Sequence, residues 1–165
     1  IVNEDVLIPR CETEELCALI LSRIDEIFPT QETVECADVG TGSGAIAITV
    51  AKEESRVKMH ATDISEEALV TARQNAKNNE VDIDFTAGDM LQPLIDANHH
   101  LDVLISNPPY IPQDEQMETS VVNFEPHVAL FGGEDGLKFY RMIVKKYSIK
   151  RHSWLLRWGG ISVNA

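Results

Sequence analysis

The spacing of apolar residues changes period several times along this chain, and each change marks an element. Between residues 13 and 28, Leu16, Ile20, Ile24 and Ile27 recur at helical spacing. Thr13 offers an N-cap, Glu14 and Glu15 suit the positive end of a helix, and Pro29 stops it. VECADV (34–39) then reads as a buried strand that runs into the glycine-rich GTGSGAIAITVA, whose second half is a small-residue helix. RVKMHATD (56–63) predicts a second strand. SEEALVTARQNAKNN (65–79) predicts a capped amphipathic helix with Leu69, Ala72 and Ala76 facing inward.

VDIDFTAGD (81–89) alternates as a third strand, and LDVLIS (101–106) is a fourth. A long polar segment from Gln113 to Gly136 follows, with turn signals at FGGEDG, and a helix is expected from about Leu137. ISVNA at the end reads as the start of a fifth strand. Strands and helices that alternate in this way predict an α/β fold: a doubly wound, mostly parallel sheet with helices on both faces. No internal repeat or low-complexity tract interrupts the pattern.

At 165 residues, 44% hydrophobic and 25% charged, the chain is long enough for one domain with a sizeable core. No apolar run approaches the roughly 20 residues that span a bilayer, so no membrane partner is expected. The first ten residues lack the features of a signal peptide. With 14 basic against 27 acidic residues, the net charge of −13 repels phosphate backbones. Its densest basic run, KKYSIKR (145–151), is short, so direct nucleic-acid binding is not expected. Cys11, Cys17 and Cys36 form no paired motif and the histidines no ligand spacing. Free thiols in a reducing cytoplasm and no metal are the expectation.

DVGTGSGA places Gly40, Gly42 and Gly44 between a strand and a helix, where glycine lets backbone approach a ligand and the helix offers free N–H groups. Asp63 ends the next strand, 23 residues after Gly40, in position to reach a ribose diol. Gly40, Gly42 and Ala45 also fit a dinucleotide fingerprint. The loop therefore predicts a ribose-bearing ligand and leaves nicotinamide and S-adenosylmethionine both open. In GDM (88–90), Asp89 can accept from an exocyclic amine of adenine and Met90 can pack on the ring; alone, the tripeptide is equally a turn.

ISNPPY (105–110) supplies the chemistry. A planar –NH₂ group is a weak nucleophile because its lone pair is delocalised. Acceptors on both of its N–H bonds leave the lone pair facing a methyl donor. The side-chain oxygen of Asn107 and the backbone carbonyl of Pro108 can be those acceptors. Pro108 and Pro109 stiffen the loop, and Tyr110 can stack on the flat group. Such a site works by orientation and electrostatic placement. Hydride transfer has no use for this pair of acceptors, which disfavours a dehydrogenase.

Together with VLIPRCETEEL (6–16), ADVGTGSGAIAI, ISNPPYIP and FEPHVALFGGEDGLKFYR (124–141), these motifs resemble the HemK-type (PrmC-type) protein glutamine N5-methyltransferases over residues 6 to about 142. That family acts on the Gly-Gly-Gln glutamine of peptide-chain release factors. The resemblance implies a Rossmann-like class I methyltransferase core using S-adenosyl-L-methionine, a release factor as protein partner, and a cytoplasmic location. It implies that Gly40, Thr41, Gly42, Ser43 and Gly44 hold the methionine part of the cofactor, that Asp63 takes the ribose hydroxyls, and that Asp89 and Met90 border adenine. Asn107, Pro108, Pro109 and Tyr110 would bind the glutamine amide, with Asn107 also next to the cofactor. Arg10, Thr13 and Glu14 would line or brace the methionine end, and Glu125 and Pro126 would shape the substrate entrance.

Some features depart from the family pattern. The family's N-terminal helical docking domain is absent from these residues. Cys11 stands where the family has proline, and Asn164 stands near a family glutamate. RWGGISVNA stops before the sheet's usual last strands, which predicts a core truncated after the fifth strand that transfers methyl groups poorly. The alternatives are an amino methyltransferase of nucleic acid (adenine N6 type) and a non-catalytic S-adenosylmethionine-binding fragment.

Overall fold

The computed structural model describes residues 1–113, 130–146, 153–158 and 161–164. Eleven elements follow one another among them: α1 (Cys11–Ile27), β1 (Val34–Val39), α2 (Ala45–Glu53), β2 (Val57–Asp63), α3 (Glu66–Asn79), β3 (Asp84–Ala87), α4 (Gln92–Asp96), β4 (Val103–Ser106), α5 (Lys138–Lys146), β5 (Ser153–Trp158) and β6 (Ile161–Asn164). The strands form one sheet in the order β3-β2-β1-β4-β5-β6. All neighbouring pairs are parallel except β5 and β6, which run antiparallel.

The sheet is covered on both faces because its strands alternate between two cores. Val34 and Cys36 of β1 join Met59, Ala61, Phe85 and Ile105 beneath α1, α2 and α3. Ala37 and Val39 point the other way and pack with Leu94 of α4, Leu104 of β4 and Ile143 of α5. Fully burying a side chain of this size contributes about 1.5–3 kcal/mol, so the two clusters fix the register of the whole sheet.

Three details of the sequence reading are corrected. Helix α1 begins at Cys11, not at a Thr13 cap: Arg10 is the N-cap and its side chain does not cap the helix, and Thr13 is buried in the first turn with Leu16 and Cys17. Burial of the amphipathic face outweighs the capping preference. Ile27, expected inside, is exposed because it is the last residue of α1, and Phe28 packs against the core instead. The fifth strand is SWLLRW, not ISVNA; Ile161–Asn164 forms a sixth strand along its outer edge. Helix α3 meets its expectation closely, with the Ser65 hydroxyl accepting from the Ala68 amide at its start. Cys11, Cys17 and Cys36 are free, and burial pushes the Cys17 thiol up to about 11 and the Cys36 thiol higher still.

Chain order reverses between β1 and β4, which lie side by side although a helix, two strands and more separate them in sequence. In an open α/β sheet the crevice outside the carboxyl ends at such a switch point is where ligands bind. The two loops that leave these strands are the glycine loop and Asn-Pro-Pro-Tyr.

Candidate active site

Hydrogen bonds between neighbouring strand ends assemble the site. The amides of Gly40 and Thr41 both donate to the Thr62 carbonyl, at 2.8 and 3.0 Å, which ties the glycine loop to the end of β2. The Ser106 hydroxyl donates to the Val39 carbonyl at 2.7 Å in a fully buried position, which sets Asn107 beside Gly40. Gly88 N donates to the Asp63 carbonyl at 2.9 Å, and the Thr62 hydroxyl donates to the Met90 carbonyl at 2.8 Å. Four loops thus start from one rigid platform.

The glycine loop needs its glycines. Gly40 and Gly42 have φ of +74° and +55°, a region that costs other residues energy, and a side chain built at either would meet no atom within 4 Å. The space beside them is left open. Gly44 (φ +80°) is the N-cap of α2, and a Cβ there would lie 3.0 Å from Ile48 and 3.2 Å from Ala72, so it serves helix packing. The Asp63 carboxylate accepts from the Gly42 amide at 2.8 Å and from the Ser65 amide at 3.0 Å. It therefore braces the loop it faces.

Beneath the loop, Asp38 is 1% exposed; one carboxylate oxygen accepts from the Thr41 hydroxyl at 2.7 Å and the other has no hydrogen-bond partner. Burial, with the charge of Asp63 adding to it, pushes the Asp38 pKa up to about 6 against the opposing Thr41 bond.

The Asn-Pro-Pro-Tyr loop is held from outside. Ile111 and Phe131 form a bridge, with Ile111 N donating to the Leu130 carbonyl and Gly132 N to the Ile111 carbonyl. A Cβ at Gly132 would lie 2.6 Å from the Pro109 carbonyl oxygen, and one at Gly136 (φ +73°) would collide with the Tyr110 carbonyl. These glycines let the FGGEDG turn sit directly against the loop's backbone.

A cavity of about 600 Å³ lies between the two loops, within the usual range for a small-molecule site. It gathers Gly40, Gly42, Asp63, Asp89, Met90, Asn107 and Pro109 from the predicted set. Thr41 and Ser43 are buried behind the loop, Pro108 is buried, and Tyr110 is 43% exposed outside the cavity lining. Arg10 is exposed at the start of α1 and Glu14 is exposed on it; neither borders the cavity, nor does the buried Thr13. Glu125 and Pro126 lie outside the described residues.

Sequence reasoning missed several walls of this cavity. Asp5, Val6 and Leu7 border it from the N-terminal segment, and Ile64 stands 67% exposed immediately after Asp63. Lys138, Phe139 and Met142 close it from α5. Lys138 and Met142 stand four residues apart on one face of α5, but nothing local says what that face meets.

Residues 17–125 match the model of the methyltransferase small domain. The chain belongs to that family. It is 46% identical over 147 residues to the release factor glutamine methyltransferase of Bacillus anthracis, covering 88% of this chain and 52% of that protein. It is likewise 46% identical over 146 residues to the release factor glutamine methyltransferase of Bacillus subtilis, covering 87% and 51%. The chain thus spans about half the length of these curated relatives.

Among solved structures, the N-terminal domain of human METTL16 superposes with a TM-score of 0.66 at 18% identity, covering 96% of this chain and 60% of that one. The ribosomal protein L11 methylase of Lactobacillus delbrueckii does so at 0.60 and 20%, covering 89% and 60%. These likenesses establish the shared fold. No helix among the described residues is long and apolar enough to cross a membrane.

Proposed function

We propose that this chain is the catalytic core of a cytoplasmic enzyme that methylates the side-chain amide nitrogen of a glutamine, that of Gly-Gly-Gln in a peptide-chain release factor, with S-adenosyl-L-methionine as methyl donor. The observation that carries the reading is the cavity at the β1/β4 switch point. It joins an open glycine loop and an acidic strand end on one side to Asn107 on the other. The identity to release factor glutamine methyltransferases supports the choice of substrate.

The residues fit the cofactor. The open space at Gly40 and Gly42 would admit a chain against the backbone; Asp63, Asp89 and Met90 line the same cavity, where Asp63 would take the ribose hydroxyls and Asp89 and Met90 would border adenine. When bound, the cofactor supplies an electrophilic methyl group. The protein holds and orients the acceptor: Asn107 Oδ1 and the Pro108 carbonyl each take one N–H of the amide, which turns the nitrogen lone pair toward the cavity. Fixing both N–H bonds also favours the pyramidal nitrogen that methyl transfer requires. Orientation of this kind supplies much of the rate.

The test has two stages. Calorimetric titration with S-adenosylhomocysteine, with NAD as control, should show binding of the first and not of the second. Radiolabelled transfer to a release factor should then place one methyl group on the Gly-Gly-Gln glutamine and none on a Gln→Ala substrate. Binding of NAD, or methylation of RNA with a steep salt dependence and not of the release factor, would overturn the reading.

A further inference from the structure

A second cluster of chemically active side chains stands apart from the cavity, on the face of the sheet that carries α4. Register explains its assembly. His60 of β2 pairs with Asp84 of β3, Glu35 lies one strand away on β1, and His99 reaches in from the connection between α4 and β4. His60 is 2% exposed. Its Nε2 lies 2.9 Å from Glu35 Oε2, its Nδ1 lies 3.3 Å from Asp84 Oδ2, and its ring centroid is 4.2 Å from that of His99. One ligand atom from each of His60, Asp84 and His99 falls within 4.8 Å of the others. None of these residues borders the cavity.

The hydrogen-bond accounting points to a missing positive charge. Carboxylate oxygens only accept, whereas a neutral imidazole carries one N–H and one lone pair. If Nε2–H donates to Glu35, the Nδ1 lone pair faces an Asp84 oxygen with no proton between them. A second proton on His60 would satisfy both carboxylates; a metal ion placed among Nδ1, the Asp84 carboxylate and a His99 nitrogen resolves the conflict as well, and it alone gives the neighbouring His99 ring a role. It also gives the Glu35 contact a familiar role, since a ligating histidine usually donates its second nitrogen to a carboxylate that fixes the ring. Bonds of about 2.0–2.2 Å put tetrahedral ligand atoms roughly 3.3–3.6 Å apart. His60 Nδ1 and Asp84 Oδ2, at 3.3 Å, already meet that spacing, so the required closure falls on His99, while the 62% exposed Asp84 side chain opens the entry path.

We infer that His60, Asp84 and His99 form a binding site for a divalent transition cation of the zinc type, with Glu35 orienting His60 and a water completing the coordination. Two imidazoles and a carboxylate without thiolate select such a cation over magnesium or calcium. The ion would clamp β2, β3 and the α4–β4 connection together, outside the lining of the cavity, and would act on stability. The inference does not depend on the proposed function.

The experiment uses the full chain, stripped with chelating resin and titrated with Zn²⁺, with Co²⁺ as a spectroscopic probe. One zinc per chain is expected, with a Tm rise of roughly 5–10 °C at a hundredfold excess over Kd. Co²⁺ should give visible tetrahedral bands without a thiolate charge-transfer band. Asp84→Asn and His99→Ala should each weaken Zn²⁺ binding by about 10–100-fold or more, while Cys11→Ser leaves it unchanged. S-adenosylhomocysteine binding should be the same with and without zinc. Folding of each variant is checked by circular dichroism, and Asp84→Asn, being exposed and nearly isosteric, keeps the test decisive if His99→Ala misfolds. Absence of stoichiometric zinc in the folded parent, affinity within twofold in Asp84→Asn, or a thiolate band would overturn the assignment.

Discussion

The two loops at the switch point are built on opposite principles. The glycine loop is fixed from within: positive φ at Gly40 and Gly42, two amides on the Thr62 carbonyl, and Asp63 and Asp38 above and beneath it. The Asn-Pro-Pro-Tyr loop is fixed from without, by proline stiffness and by a turn more than twenty residues further along the chain. Cofactor binding should therefore survive damage that destroys acceptor positioning, and the reverse damage should be separable too.

Asn107→Ala gives the largest expected split. Losing a preorganised acceptor costs about 10²–10³-fold in turnover, whereas S-adenosylhomocysteine affinity should stay within a few fold by calorimetry. A parallel loss of both would erase the distinction between the loops.

Asp38→Asn tests the inner loop through pH. The folded-state pKa of Asp38 is raised from 3.8 to about 6, so the fold binds this proton more tightly than the unfolded chain does. Its contribution is therefore most favourable below about pH 4 and is lost as pH rises through about 6, with a ceiling of about 3 kcal/mol. Denaturant midpoints measured from pH 4 to 8 should show the Asn variant gaining on the parent across that window. Parallel curves would mean that Asp38 does not titrate there.

Gly136→Ala strikes the outer loop without touching the cavity lining. Its φ is +73° and the added methyl would press on the Tyr110 carbonyl. A displacement of about 1 Å at a reacting group can cost up to about 10²-fold, so kcat should fall steeply with little change in cofactor affinity. Asp63→Ala should do the opposite, weakening S-adenosylhomocysteine by roughly 1.5–3 kcal/mol. Unchanged affinity would place the ribose elsewhere.

Much of this arrangement was legible in the sequence where local chemistry and global position agree. VECADV, the capped helix from Ser65, and the three glycines each carry their own signal. Helix α4 does not: five residues containing Pro93 show no period. In SWLLRW the apolar run is too short to separate strand from helix, so the sequence places the fifth strand at ISVNA, which follows it. The sequence points Asp63 toward a ribose, whereas its bond to Gly42 depends on the register of β1 and β2. The cavity's far wall on α5 depends on tertiary contact that no local pattern encodes.

The same buttressing has a consequence for how this protein tolerates change. In a saturation screen scored by methyl transfer, Gly132 and Gly136 should be as intolerant as Asn107, although they offer no functional group at all. Such a map would show an active site larger than its chemistry, with part of its outline drawn by the absence of side chains.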